Sequence, residues 1–173
     1  MEEFKEALFT DYLGEISEQE SLDNNLKLVY DSLYRHKLIN TFSTIVFSGM
    51  GGALYAPLLA YRLKKYICGV RKKGEKSHSI YTLEGRLGKD YIICDDMICT
   101  GKSIDYIVKT VQKELLTESQ CYGIKPAWKA NLVGVVLYGV GNDAEKVQEL
   151  SNLKNCWVLW QDKLFTPKDL HND

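Results

Sequence analysis

Apolar residues recur along this chain in two rhythms. Over residues 22–39, Leu22, Leu26, Val29 and Leu33 share one helical face while Asp23 and Lys27 lie elsewhere. That spacing predicts a helix with Ser21 as its N-cap. Thr44 to Phe47 (TIVF) is β-branched and aromatic and stops at a glycine cluster, which predicts a buried strand followed by a tight loop. Helical spacing returns over 53–65, and a short strand follows over 66–70. Residues 71–89 are polar and hold three glycines, so they read as a long loop or flexible hairpin. Further strands are predicted over 91–94, 132–138 and 156–160, with helices over 103–116 and 144–150. Short apolar strands alternating with helices imply an α/β fold, a parallel sheet covered on both faces. Ligands bind such sheets beyond the carboxyl ends of the strands. Residues 48–52 and 95–103 hold that position.

Composition narrows the picture without changing it. The chain has 173 residues and a formal net charge of −1, which suits one domain and disfavours a general nucleic-acid binder. Its core is expected over about 40–160. Neither repeats nor proline-rich linkers divide it. Five cysteines form no C-x-x-C pair, so a zinc site is not expected and a reducing, cytoplasmic location is. No run approaches the roughly 18 apolar residues that span a bilayer, and the acidic N-terminus does not read as a signal peptide.

The chemistry concentrates in Tyr91 to Ser103 (YIICDDMICTGKS). The segment leaves a strand and opens a helix, where unpaired N–H groups and the helix dipole attract an anion. Gly101 admits close backbone approach, and Thr100 and Ser103 add hydroxyl donors. A Walker A loop would need glycine at position 96, which is Asp. The adjacent carboxylates Asp95 and Asp96 would repel a phosphate unless something compensates. Sugar hydroxyls can donate to them, and a divalent cation can screen them. A ligand with a phosphate at one end and a diol in the middle meets both conditions, although an acidic turn with a helix cap is the plainer reading of the segment alone.

YIICDDMICTGKS resembles the phosphoribosyl-pyrophosphate (PRPP) signature of the type I phosphoribosyltransferases. The resemblance implies that Asp95 and Asp96 contact the ribose hydroxyls and that Cys99, Thr100, Gly101, Lys102 and Ser103 cradle the 5′-phosphate. Ser48 to Ala53 (SGMGGA) is similar to the family's pyrophosphate loop, which implies that Gly49, Met50, Gly51 and Gly52 bind pyrophosphate. Met50 stands where the family often has Lys or Arg. The basic stretch Arg71-Lys72-Lys73-Gly74-Glu75-Lys76-Ser77-His78 resembles the mobile loop of orotate phosphoribosyltransferases, one residue longer than expected, and Leu83-Glu84-Gly85 resembles that loop's end. Arg71 and Lys73 would bind pyrophosphate, and Lys72, Lys76 and His78 would serve its departure.

These segments cover roughly 44–106 in family order. The ends would build the hood that selects the base. The resemblance therefore implies a type I phosphoribosyltransferase fold, a mainly parallel sheet with a small hood. It also implies a Mg²⁺-dependent transfer of 5-phosphoribosyl from PRPP to a nucleobase, orotate first and a purine second. A homodimer is implied, because in related enzymes the loop can act across the dimer interface. Two other classes stay open: a non-catalytic sensor of PRPP or a nucleotide on the same fold, and an unrelated phosphate-binding α/β protein. Trp157 and Trp160 are expected in core or interface, and Tyr138 to Gly141 sits where a base contact is conceivable.

Overall fold

A computed structural model describes residues 18–72, 74–75, 81–122 (side chains to 116) and 129–168. Helix α1 (Gln19–Arg35) buries Leu26, Val29 and Leu33, the expected face. It starts earlier than predicted, with Glu18 rather than Ser21 at its N-cap. It also ends earlier, at Arg35. Lys37 turns to φ 58°, and the Leu38 N–H bonds back to the Leu33 carbonyl, a left-handed closing turn that stops the helix.

The remaining elements follow the predicted alternation. They are β1 (Thr44–Ser48), α2 (Gly49–Leu63), β2 (Tyr66–Val70), β3 (Leu83–Gly85), β4 (Asp90–Asp95), α3 (Lys102–Tyr122), β5 (Asn131–Leu137), α4 (Ala144–Lys154), β6 (Trp157–Trp160) and β7 (Lys163–Phe165). The strands form one sheet in the order β3-β2-β1-β4-β5-β6-β7. Pairing is parallel from β2 through β6 and antiparallel at the edges, where β3 joins β2 and β7 joins β6. Edge strand β7 was not anticipated; β3 lies inside the segment read as a long loop or flexible hairpin, and its antiparallel pairing with β2 is the hairpin form. The largest correction concerns α2. It begins at Gly49, not at residue 53, so the glycine cluster is the first turn of a helix rather than a loop.

Successive strand residues point to opposite faces, and both faces are covered. Val46, Ile93, Val135 and Val158 pack with Ile104, Ile107 and Val111 of α3 and Val147 of α4. Ile45, Ile92, Val136 and Leu159 pack with Leu33 of α1 and Tyr55 and Leu59 of α2. Trp157 lies against Phe42 with ring centroids 6.4 Å apart, and a Cβ on Gly134 would stand 2.1 Å from its ring. That placement meets the expectation of a core role. Among the described residues no helix is long and apolar enough to cross a membrane.

The chain order reverses between β1 and β4. From β1 the chain crosses by α2 to β2 on one side; from β4 it crosses by α3 to β5 on the other. The two crossovers diverge and leave a crevice at the carboxyl ends of β1 and β4, the position where sheets of this kind take ligands.

Candidate active site

A cleft of about 650 Å³ occupies that crevice. One wall is the start of α2, with Ser48, Gly49, Met50 and Gly51. The floor is Asp95 and Asp96. The far wall is the loop Met97–Gly101 running into Lys102, Ser103 and Tyr106 of α3, and Lys72 enters from the end of β2. Three segments widely separated in sequence thus meet at one place.

The α2 wall approaches the carboxylates closely because it lacks side chains. Gly49 takes φ +72° to turn strand into helix, and a Cβ there would stand 2.9 Å from Lys72 Nζ. A Cβ on Gly51 would stand 2.5 Å from an Asp96 carboxylate oxygen. Gly52 serves packing instead, since a Cβ there would meet Phe47 and the Cys94 carbonyl. The Gly51 carbonyl accepts the Tyr138 hydroxyl at 2.8 Å. Tyr138 in turn stacks on Tyr55 with centroids 4.2 Å apart, and the Tyr55 hydroxyl donates to Asn25 of α1.

The floor is electrostatically loaded. Asp96 is only 8% exposed. Burial, reinforced by the Asp96 charge, pushes the Asp95 carboxyl up to about 7, while Lys72 acts in the opposite direction. The Asp96 N–H bonds Asp95 Oδ1 at 3.2 Å, and the Met97 N–H bonds Asp96 Oδ1 at 2.7 Å.

Beyond Ile98 the loop opens to solvent. Cys99, Thr100, Lys102 and Ser103 are exposed. Gly101 takes φ +69°, and a Cβ there would meet no heavy atom within 4 Å. Glycine at 101 therefore serves backbone conformation, whereas glycine at 51 serves close approach.

The expected residues fall into three groups. Asp95, Asp96, Lys72, Gly49, Met50, Gly51 and Cys99 through Ser103 line the cleft. Arg71 turns toward Glu84, with Nε 3.4 Å from Oε1, and Gly52 faces the sheet. Lys73, Lys76 and His78 lie outside the described residues. Ser48, Met97 and Ile98, inside the anticipated segments 48–52 and 95–103 but given no role of their own, also line the cleft, as does Tyr106, which was not anticipated. The buried Ser48 Oγ has no hydrogen-bond partner among the described residues. The Tyr106 hydroxyl donates to the Arg71 carbonyl at 2.8 Å, tying α3 to the root of the basic segment. Its position one turn after Ser103 was the available signal.

The crevice is that of an α/β protein with its cleft at a chain reversal. No family model matches the sequence, and no curated protein does. Solved structures do. The chain aligns with orotate phosphoribosyltransferase from Aeropyrum pernix at TM-score 0.61 and 18% identity, over 90% of this chain and 78% of that one. It aligns with adenine phosphoribosyltransferase from Saccharomyces cerevisiae at 0.57 and 21%, over 90% and 86%. It aligns with orotate phosphoribosyltransferase from Mycobacterium tuberculosis H37Rv, solved in complex with PRPP, at 0.57 and 15%, over 89% and 80%. The chain has the type I phosphoribosyltransferase fold.

Proposed function

We propose that this chain is a phosphoribosyltransferase that transfers the 5-phosphoribosyl group of PRPP to a nucleobase and releases pyrophosphate. One observation carries the reading. A paired carboxylate floor lies between an exposed loop at a helix start and a second, glycine-built helix start, all in one cleft. A phosphate at one end, a diol in the middle and a second phosphate group at the other end match those parts in order.

In the reaction the bond from the anomeric carbon to the pyrophosphate oxygen breaks, and a bond from that carbon to a base nitrogen forms. The pyrophosphate leaves with the bonding pair, and the base nitrogen loses its proton. The N–H groups at the start of α3, with the Thr100 and Ser103 hydroxyls, hold the 5′-phosphate. Asp95 and Asp96 orient the ribose diol and favour the positive charge that develops on the sugar. Lys72 stands beside Gly49 to receive the departing pyrophosphate.

Magnesium fits this site. Two adjacent carboxylates, one held toward its neutral form by burial and by the charge of the other, are eased by a shared cation. Among the described residues no cluster of three or more metal-ligating side chains could hold the ion alone, so substrate oxygens and water would complete its shell. When bound, the ion supplies charge neutralisation on the pyrophosphate.

A second copy of the chain is the proposed partner. Met50, Leu54, Leu58 and Tyr61 form an exposed apolar stripe on α2, Tyr61 at 88%. No charge interrupts the helix before Arg62. Met50 belongs to both stripe and cleft, so a copy seated on α2 borders the active site. Leu58→Asp with Tyr61→Asp should convert a dimer to a monomer in size-exclusion chromatography with light scattering; a monomeric parent protein would end this part of the proposal.

The base would be chosen by the terminal segments, with orotate the first candidate and a purine the second. Pyrophosphate release from PRPP and Mg²⁺, measured with a panel of bases, tests the whole reading. One base should support turnover. Tight PRPP binding with no turnover on any base would favour the second reading, a PRPP sensor. The apolar, 66% exposed Met50 at the head of α2 is the observation that favours it. No PRPP binding would remove both.

A further inference from the structure

The chain between β5 and α4 passes beneath the carboxylate floor, and Asn142 there reaches into it. Asn142 is 9% exposed. Its Oδ1 accepts the Ile98 N–H at 2.7 Å. Its Nδ2 donates to the Asp96 carbonyl at 3.2 Å and to the Gly139 carbonyl at 2.9 Å. The Asp96 carbonyl also accepts the Gly139 N–H at 2.8 Å, an approach that only glycine allows, since a Cβ on Gly139 would stand 2.6 Å from that oxygen. Trp160 Nε1 donates to the Gly139 carbonyl at 2.9 Å, so the anchor is itself anchored.

These partners fix the orientation of the amide. One backbone N–H demands the oxygen, and two carbonyls demand the nitrogen. Asn142 therefore grips the backbone on both sides of Met97, at the Asp96 carbonyl and the Ile98 N–H. The Asp96 carboxylate is turned by this same bend, because it accepts the Met97 N–H. Gly51 closes its other side.

We infer that Asn142 is a positioning residue for phosphoribosyl transfer, acting through the backbone of Asp96 to Ile98 to aim the Asp96 carboxylate. The inference rests on the phosphoribosyltransferase reading. An aspartate at 142 would keep the size of the side chain and turn an acceptor toward two carbonyl oxygens. Its effect therefore reports hydrogen bonding rather than volume.

A double-mutant cycle tests it. Asn142→Ala, Asn142→Asp, Asp96→Asn and the doubles are compared by kcat and KM for PRPP and for the base, by PRPP Kd from calorimetry, and by thermal melting. Asn142→Ala should lower kcat/KM for PRPP by about tenfold or more, and Asn142→Asp at least as much, with KM for the base little changed. In the Asp96→Asn background, Asn142→Ala should change kcat/KM for PRPP by less than about threefold, because the carboxylate it aims has gone. Equal loss in both backgrounds, or parental kinetics in a folded Asn142 variant, overturns the inference. Should Asn142→Ala not fold, the same cycle with Asn142→Asp decides. Failure of the parent protein itself to bind PRPP and release pyrophosphate would instead sink the functional reading.

Discussion

β1 passes into α2 with no intervening residue, Ser48 ending the strand and Gly49 starting the helix, whereas the six residues Asp96–Gly101 separate β4 from α3. Both crossings present a helix start to the same cleft. The first is held tightly. Gly52 lies on the sheet, Gly51 lies on the Asp96 carboxylate, and Tyr138 grips the Gly51 carbonyl. The second is held only in its first half, where Asn142 and Gly139 fix Asp96 and Ile98. Its second half, from Cys99, is exposed and free to wrap an anion. The contrast separates two ways of presenting a helix start to one cleft: a rigid turn made by removing side chains, and an open loop made by adding residues.

The sharpest way to break this comparison is to remove the floor that both crossings share. Asp95→Asn with Asp96→Asn should lower pyrophosphate release from PRPP by about 10³-fold, with the apo protein still folded by circular dichroism. Parental turnover would deny the carboxylates their role.

The two glycines should fail differently. Gly51→Ala drives a methyl group into the Asp96 carboxylate, and the displaced carboxylate should reduce kcat/KM for PRPP by about 10²-fold. Gly101→Ala meets nothing and costs only the left-handed backbone conformation, about 1 kcal/mol, or roughly fivefold in PRPP affinity. Kinetics that rank the two in the opposite order would show that the open loop, not the tight turn, sets the geometry.

A further effect is one of stability, read without substrate. The folded-state acid of Asp95 lies at about 7 against an ordinary 3.8. Over that interval the folded chain keeps a proton that the unfolded chain has lost, so stability falls as pH rises from about 4 to about 7. Asp95→Asn in the apo protein should therefore melt close to the parent at about pH 4. It should gain on the parent up to about pH 7 and keep a constant advantage of about 4 kcal/mol above that. A pH-independent offset in the melting curves would show that burial does not hold the Asp95 proton.

Much of the cleft was legible because its parts are local. An anion loop needs glycine, hydroxyls and a helix start within a few residues, and Cys99 to Ser103 supply them consecutively. The parallel core was legible because Thr44 to Phe47 and Tyr91 to Cys94 are continuous apolar runs. The glycines at 49–52 misled because glycine commonly breaks helices. Here it opens one, and the reason lies in Asp96 and Phe47, distant in sequence. The resemblance of 71–78 to a basic loop implied pyrophosphate contact for Arg71, and its ion pair with Glu84 had no local signal because it is set by the β2–β3 pairing. Asn142 carried no local signal at all; its partners Asp96 and Ile98 lie far upstream and meet it only through the pairing of β4 with β5. Leu83–Gly85 and Lys163–Phe165 are too short to show a period.

Those two short strands limit how the sheet can pair with that of another molecule. Five strands pair in parallel, and a bare parallel edge would offer a long row of unmatched N–H and carbonyl groups to any passing chain. Instead each border is a three-residue antiparallel strip. One carries Glu84, and the other carries Lys163 beside the ring of Trp160. Growth of the sheet from molecule to molecule finds almost no template at either side. The pairing proposed for the outer face of α2 would therefore meet little competition from strand-to-strand contact.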